Sequence, residues 1–454
     1  MVSQFLSLSR QILTFLKGKE LQAYGRLLSW RNWLVSGLAL ASFMTVPVAA
    51  NPQSNASPNA VQNDAYALLE LIETRYAYAD RHKFGIPPVR AELEARIPSL
   101  STRQDLVAFS QLAFHSLYDH HSITGSGLSD AYGLVPSFTD LWVERTDNGY
   151  EVMDVRQGSP ALKVGLRPGC LITTIEGQPI DMAINHFIGA NPVEVNAERR
   201  AYAARVLTAG RRDRVRRLGV SCDGLNWVLE LPNLYQARLR RDRGLVSLNL
   251  REFDNKTIAV VRFNDSLGLP QTINAFDEAI ASADPFDAMV IDLRDTASGG
   301  NTLVARGILS RFVTERTVYQ RHILPADERD FGVARSWLEE VSPRGEHISV
   351  PVAVVSGRWT ASMGEGLTVA FDAIGVETFG TDMAGLLGGI TDHRLPETDI
   401  LVKLTTERLE HVDGTPREDF RPSVLFNYAD APDLDGKDGP MEAALSHVAG
   451  LAEN

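Results

Sequence analysis

The residues best suited to chemistry begin with a serine at a strand-to-helix junction. Residues 360–365 read Thr-Ala-Ser-Met-Gly-Glu, and Ser362 follows an apolar run at 352–355 and a glycine. A serine hydroxyl attacks well only when a neighbouring base removes its proton. A strand, a tight turn and a serine at a helix start would lift such a hydroxyl to a sheet edge. The same pattern also describes a serine that merely caps a helix, with Glu365 completing the capping box.

A base is available in a second stretch. Residues 119–122 read Asp-His-His-Ser and end a predicted helix over 103–118. Histidine is the usual general base near neutral pH, although a histidine pair at a helix end is also common surface chemistry. The pair therefore becomes informative only if the fold brings it to Ser362.

The elements that would position these groups alternate in type. Apolar strands at 258–263, 288–294 and 352–355 are separated by a helix at 271–283 and a helix ending near 312. Such alternation predicts an α/β unit with a largely parallel sheet and a site at the carboxyl ends of its strands. Helices are also expected from residue 64 onward, over 89–97 and over 103–118.

A different unit precedes this alternation. Between residues 149 and 180 the sequence gives a strand, a short helix after Gly-Ser-Pro-Ala, a Gly-Leu-Arg-Pro-Gly turn, a second strand and a glycine hairpin. In this order the elements resemble a PDZ domain over roughly 139–231. The resemblance implies that an extended peptide is bound as an added strand. Its carboxylate loop would lie at 133–138 and would include Leu134 and Val135.

The N-terminus carries a targeting signal. Arg26 and Arg31 precede an apolar run at 33–44, and small residues follow at 48–50. Because the run is short for a membrane span, we expect a secretory signal peptide with cleavage near Ala50. The protein is thus predicted to be exported, periplasmic or extracellular. An uncleaved signal segment would instead associate it with the membrane.

Composition limits the class of partner. Hydrophobic residues make up 44% of the chain and charged residues 22%, as in globular proteins of two or three domains, and the net charge is −12. An acidic chain argues against nucleic acid as the main partner. The arginine-rich residues 211–217 are expected to form a solvated face.

Cys170 and Cys222 could pair or be two core residues. No metal motif such as His-Glu-x-x-His occurs.

Several motifs together are similar to those of the C-terminal processing (tail-specific) peptidases, a family that also includes the tricorn protease core. They are Asp-Leu-Arg at 292–294 with Gly-Gly-Asn at 299–301, the Ser362 stretch at 360–365, and Glu-Thr-Phe-Gly at 377–380. With the PDZ-like unit the resemblance covers roughly 64–430. It implies a serine peptidase with polypeptide substrates and neither a cofactor nor a metal.

The family divides by how the serine is activated. One branch uses a lysine after a Thr-Phe-Gly motif, but Thr381 follows that motif here and Lys403 sits in an alternating strand pattern. The branch resembling the tricorn core uses histidine and glutamate. By that resemblance His121 is the base, with His120 as the alternative, and Glu418 is the acid, with Asp419 as the alternative.

These implications define the predicted architecture and function. The fold is α/β: a catalytic domain with a mixed, largely parallel sheet of the ClpP/crotonase type, an inserted PDZ-like β-rich domain and an N-terminal helical segment. The predicted function is endopeptidase hydrolysis through an acyl-enzyme on Ser362, with backbone N–H groups of Gly299, Gly300 and Met363 as the oxyanion hole. A non-catalytic peptide- or ligand-binding scaffold and an envelope adaptor are the alternatives.

The expected segments are 1–50 signal peptide, 51–63 disordered lead-in, 64–138 helical part carrying the histidine, 139–235 PDZ-like domain, 236–430 catalytic domain and 431–454 tail with a short helix.

Overall fold

The computed structural model describes residues 56–83, 85–189, 196–237, 244–264, 266–428 and 438–453. The predicted signal peptide over 1–50 therefore lies outside the described residues. The described chain begins with three helices and two short 3₁₀ turns. Their bounds are α1 (Pro58–Arg75), α2 (Pro87–Glu94) and α3 (Arg103–Ser116), with turns at Ala79–Arg81 and Ile97–Ser99.

The start of α1 corrects the sequence prediction. The helix begins at Pro58, inside the stretch expected to be a disordered lead-in, so that expectation is wrong from residue 58 onward. The Ser57 hydroxyl accepts a hydrogen bond from the backbone N–H of Ala60 at 3.2 Å. Proline at the first helical position needs no N–H partner, and serine before it caps the helix.

A β-rich segment over residues 141–237, called here the inserted domain, follows strand β1 (Ile123–Thr124). The bounds are β2 (Leu141–Thr146), β3 (Gly149–Val155), α4 (Pro160–Lys163), β4 (Leu171–Ile175), β5 (Gln178–Pro179), α5 (Ile180–Ile188), α6 (Ala197–Ala209), β6 (Arg216–Cys222), β7 (Leu225–Leu231) and α7 (Leu234–Ala237). The strands pair antiparallel in the order β2–β3–β4–β6–β7, with β5 beside β4, so β2 is an edge strand of this described sheet. Helix α6 packs on β2.

Two links hold the inserted domain together. Cys170 and Cys222 form a disulfide, which decides between the two options left open by the sequence. Arg216 is only 1% exposed, and its guanidinium donates to both carboxylate oxygens of Asp140, at 2.6 and 3.0 Å. The prediction of a solvated face for 211–217 is therefore wrong at Arg216. A buried guanidinium needs such a partner because an unpaired buried charge is strongly destabilising.

The described residues after this segment form two larger sheets, one small sheet and five helices. Their bounds are β8 (Val246–Phe253), β9 (Lys256–Phe263), β10 (Ser266–Leu267), α8 (Gln271–Ala281), β11 (Ala288–Asp292), β12 (Ser298–Gly300), α9 (Thr302–Leu309), β13 (Thr317–Ile323), α10 (Pro325–Phe331), β14 (Ser336–Val341), β15 (Val352–Ser356), α11 (Met363–Ala373), β16 (Glu377–Gly380), β17 (Gly389–Arg394), β18 (Leu401–His411), β19 (Val424–Leu425) and α12 (Gly439–Leu451).

The central sheet has six strands in the order β19–β16–β15–β11–β9–β8, and every neighbouring pair except β8–β9 is parallel. All five residues of β11 are buried, as expected for a strand covered on both faces. Helices α8, α9 and α11 contribute to the core on one face, and α12 covers the other. The predicted mixed α/β fold with a largely parallel sheet is confirmed.

The second sheet joins the N-terminal helices to the C-terminal part of the chain. Strand β18 pairs antiparallel with β1, β17 and β13, and β14 pairs with β13. Apolar residues of β18, such as Val402 and Leu404, share a buried core with α1 and α3. Because β1 directly follows the Asp-His-His-Ser stretch, its pairing with β18 fixes where that stretch lies.

Candidate active site

Ser362 sits in a sharp turn between β15 and α11. Its backbone angles are φ 54° and ψ −112°, which residues other than glycine rarely adopt. Such strain occurs at functional sites and is typical of a serine raised on a strand-to-helix turn. Below it, Thr360 accepts a hydrogen bond from the N–H of Gly357 (2.9 Å) and donates to the carbonyl of Leu293 (3.0 Å). The turn is thus held onto the carboxyl end of β11.

His121 reaches Ser362 across 241 residues of sequence, with 2.9 Å between its Nε2 and the serine Oγ. Its backbone is held by the buried Asp119, whose Oδ1 accepts the N–H of His121 at 2.8 Å. The second oxygen of Asp119 accepts hydroxyl hydrogen bonds from Ser122 (2.8 Å) and from Thr405 on β18 (2.7 Å). The Asp-x-His-Ser stretch is therefore a clamp that fixes the imidazole against β18.

The neighbouring histidine has another role. His120 stacks on Tyr202 of α6 with 4.3 Å between ring centroids, and its Nε2 accepts from the guanidinium of Arg205 at 3.1 Å. It thus faces the inserted domain, while His121 faces the serine. Lys403, which the sequence disfavours as a base, pairs with Asp392 at 2.6 Å.

The hydrogen bonds assign the tautomer of His121. Its Nδ1 lies 2.7 Å from the backbone carbonyl oxygen of Leu387. Because a carbonyl can only accept, Nδ1 carries the proton and Nε2 presents a lone pair to the Ser362 hydroxyl. Burial, reinforced by the nearby Arg417 guanidinium, lowers the pKa of His121 to about 4, against the opposing charge of Asp119. The imidazole is therefore neutral near pH 7 and ready to accept a proton.

We expect the His121 ring to stay neutral down to about pH 4 in the folded protein. Between that value and the ordinary histidine pKa of about 6.5, the unfolded chain binds more protons than the folded one. This group therefore lowers the free energy of unfolding as the pH falls through that range. Imidazole ¹⁵N shifts measured against pH report the titration, and His121→Ala identifies the signal. A midpoint near 6.5 would contradict the burial argument.

The predicted acid does not meet the imidazole. Glu418 lies in the 3₁₀ turn Arg417–Asp419, and its carboxylate lies beside the Tyr78 hydroxyl. The nitrogen of His121 that an acid would bind is occupied by the Leu387 carbonyl. The neighbouring Asp419 is exposed. The structure thus brings Ser362 and His121 together but not Glu418, whose role as the acid stays a prediction.

The proposed oxyanion donors lie beside the nucleophile. Gly299 and Gly300 end the short strand β12, which pairs in parallel with β10. A Cβ on Gly300 would lie 2.4 Å from the Cβ of Met363, the first residue of α11, so only glycine allows this approach. The backbone of Gly300 and the residue after Ser362 are therefore in contact, as an oxyanion hole requires. The donor roles of Gly299, Gly300 and Met363 remain predictions.

The predicted peptide-carboxylate loop is closely packed. Val135 is 5% exposed and belongs to an apolar cluster with Trp142 of β2 and Tyr202 of α6. Leu134 is partly exposed, and its carbonyl accepts the N–H of Phe138 at 2.7 Å. Substrate binding by Leu134 and Val135 stays a prediction.

Glu365 is the main site residue whose function the sequence did not predict. It was expected only as part of a capping box, and its Oε2 does accept the N–H of Ser362 at 2.7 Å. Its Oε1 also accepts the N–H groups of Gly385 (2.8 Å) and Leu386 (3.2 Å). Burial raises the pKa of Glu365 to about 7, against Arg417 and these three donors. The Ser-x-x-Glu spacing signals the first contact and gives no sign of the other two.

Comparisons with known proteins bear on this arrangement. Residues 250–421 match the family model described as peptidase family S41. No curated protein matches the chain. The matched segment contains Ser362, the turn before it and helix α11. By this match the chain is a serine-type peptidase, a hydrolase.

Solved structures share the fold. The photosystem II D1 C-terminal processing protease aligns with a TM-score of 0.53 and 16% identity over 85% of this chain and 99% of that chain. Mature CPAF aligns with a TM-score of 0.53 and 13% identity over 87% of this chain and 97% of that chain. Mature CPAF complexed with lactacystin aligns with a TM-score of 0.50 and 13% identity over 87% of this chain and 98% of that chain. At these identities the similarity establishes a common mixed α/β fold.

Proposed function

We propose that this serine-type peptidase is an exported endopeptidase that cleaves polypeptides through an acyl-enzyme on Ser362. The observation that carries the proposal is the 2.9 Å contact between the Ser362 hydroxyl and His121 Nε2. The strained backbone of Ser362 and the neutral state of the imidazole support it, because a base must be unprotonated to accept the hydroxyl proton. The match of residues 250–421 to a peptidase family adds independent support.

The residues suggest the order of events. The Ser362 oxygen attacks the peptide carbonyl while His121 Nε2 takes the hydroxyl proton. The negative charge on the carbonyl oxygen would be held by backbone N–H groups of Gly300 and Met363. His121 then gives its proton to the leaving amine, and the acyl-enzyme forms. Water, deprotonated by the same imidazole, hydrolyses the acyl group and restores Ser362.

A fluorophosphonate probe tests this proposal directly. We expect the purified protein to be labelled and Ser362→Ala to lose the label, because the probe reacts only with an activated hydroxyl. Ser110→Ala is the control, since the Ser110 hydroxyl is fully buried and donates to the carbonyl of Leu106 within α3. Labelling that persists in Ser362→Ala would overturn the assignment.

We further propose that the inserted domain is PDZ-like and gates the site. The ring of Trp142, on edge strand β2, contacts the guanidinium groups of Arg205 on α6 and of Arg358 in the turn before Ser362, each 4.9 Å from the ring centre. In the same turn, Trp359 donates to the carbonyl of Thr139 at 2.8 Å. A peptide added along β2 would therefore press on the residues just before Ser362.

Peptide competition can test the gating proposal. Turnover of an unfolded polypeptide is measured with and without an excess of short peptide, in the unaltered chain and in Trp142→Ala. We expect the peptide to alter turnover in the former and to have a much weaker effect in the variant. An equal effect in both proteins would refute coupling through Trp142.

Export is supported by the disulfide between Cys170 and Cys222, because such bonds persist mainly in oxidising compartments. Among the helices that the structure describes, none has the length and apolar character needed to cross a bilayer. Cell fractionation with thiol labelling tests the proposal. Recovery of the protein in the cytosol with reduced cysteines would count against export.

A further inference from the structure

We propose that Glu365 is a positioning residue and that the Leu387 carbonyl takes the place of the triad acid. Glu365 would hold residues 385–388, called here the carbonyl loop, so that the Leu387 oxygen keeps the Nδ1 proton of His121 in place. The inference rests on the proposed function, because it assigns how the base of that reaction is oriented. It concerns a residue that does not itself touch the reacting atoms.

The first support is the set of bonds that Glu365 makes. Its side chain is fully buried, and one carboxylate oxygen accepts the N–H of Ser362. The other oxygen accepts two successive N–H groups of the carbonyl loop, from Gly385 and Leu386. One carboxylate thus fixes the nucleophile and the loop that orients the base relative to each other.

A second anchor holds the loop from its carbonyl side. Arg417 is 2% exposed, and its Nη2 donates to the carbonyl of Leu386 at 3.0 Å and to that of Gly388 at 2.5 Å. Gly388 also lies against β18, since a Cβ there would be 1.8 Å from the carbonyl oxygen of Glu407. Arg417 thus fixes the carbonyls on either side of Leu387, and the Leu387 oxygen between them lies 2.7 Å from His121 Nδ1.

The Leu387 carbonyl can orient His121 as a triad acid normally does. An acid bound to Nδ1 fixes the tautomer and ring orientation of the histidine. A backbone carbonyl at 2.7 Å does both, because it accepts only from a protonated Nδ1. Its dipole stabilises a positive imidazolium less than a full negative charge would. The precision of the loop, rather than a charge, then determines how well His121 works.

Glu365→Gln is the central test, with the His121 tautomer as readout. An amide can accept through one oxygen only, so the variant loses either the Ser362 contact or the loop contacts. We expect two-bond ¹⁵N–¹H spectra to show an Nδ1–H ring in the unaltered protein and a mixture of tautomers in the variant. We also expect kcat to fall roughly 100-fold with KM little changed, as small misplacement of a catalytic group can cause.

Asp64→Asn is the matched control. Asp64 is also a fully buried carboxylate that accepts two backbone N–H groups from a distant loop, those of Glu397 (3.0 Å) and Thr398 (2.7 Å). Its substitution should lower stability without changing the His121 tautomer or kcat. If Glu365→Gln does not fold, Arg417→Lys replaces it, because a lysine ammonium cannot reproduce the planar guanidinium donor shared by the two loop carbonyls.

The outcomes separate the two proposals. An unchanged Nδ1–H tautomer and unchanged kcat in Glu365→Gln would overturn the positioning role. The positioning role would also be overturned if Glu418→Gln changed the His121 tautomer and Glu365→Gln did not. That result would mean that Glu418 fixes the tautomer. The spectrum needs no turnover, so a tautomer change in Glu365→Gln supports the positioning role even if the probe fails to label Ser362. That failure would overturn only the proposed function.

Discussion

Ser362→Ala is expected to lower kcat for peptide hydrolysis by roughly 10⁶-fold, and His121→Ala by a similar factor. The two groups act as one unit, because the hydroxyl attacks only when the imidazole 2.9 Å away takes its proton. The expected effect of the double variant is therefore close to that of either single variant. Turnover of an unfolded polypeptide, with thermal unfolding as a check on folding, measures these values.

The non-additivity is the decisive part of this prediction. If the losses multiplied, Ser362 and His121 would contribute independently and the dyad would be wrong. Ser110→Ala again serves as control, because the Ser110 hydroxyl donates to the Leu106 carbonyl within α3. Substantial turnover by His121→Ala at neutral pH would point to a different base.

Gly300→Ala is expected to lower kcat by roughly 10²- to 10³-fold, the loss typical of removing one oxyanion donor. The added methyl group would lie 2.4 Å from the Cβ of Met363, which must move or push β12 away. Either movement separates two of the proposed donors. Steady-state turnover measures the loss, and the fluorophosphonate reaction rate should fall with it.

Gly299→Ala provides the comparison for that experiment. A Cβ at Gly299 meets nothing within 4 Å, and the substitution keeps the backbone N–H. We expect a far smaller loss of kcat than for Gly300→Ala. Equal losses in the two variants would mean that the glycines serve the strand and not the oxyanion.

Much of the fold follows from local sequence patterns. Alternating strands and helices after residue 257 predict the parallel sheet, because apolar runs such as 288–292 fit only a strand buried on both faces. The polar composition of residues 51–63 predicts disorder, whereas Ser57 and Pro58 form a capped helix start within that stretch. Burial of Arg216 depends on Asp140, 76 residues earlier, and a charge run alone cannot show that.

The candidate site likewise contains residues that the sequence predicts and contacts that it does not. Ser362 and His121 carry reactive side chains in recognisable motifs, and the structure brings them together. The partner of His121 Nδ1 is a backbone carbonyl. Because every residue has one, the residue type at position 387 cannot indicate this contact. The two anchors of the carbonyl loop, Glu365 and Arg417, are likewise defined by backbone groups. Sequence therefore predicts the reacting pair better than what orients it.

The clamp of Asp119 on Thr405 has a consequence for synthesis. The histidine is made early, the serine more than two hundred residues later, and the strand that seats the histidine later still. A chain that ends between residues 362 and 405 contains both His121 and Ser362 but lacks the Thr405 hydroxyl that Asp119 binds. We therefore expect a fragment that ends between residues 362 and 405 to lack peptidase activity, although it contains both proposed reactive residues.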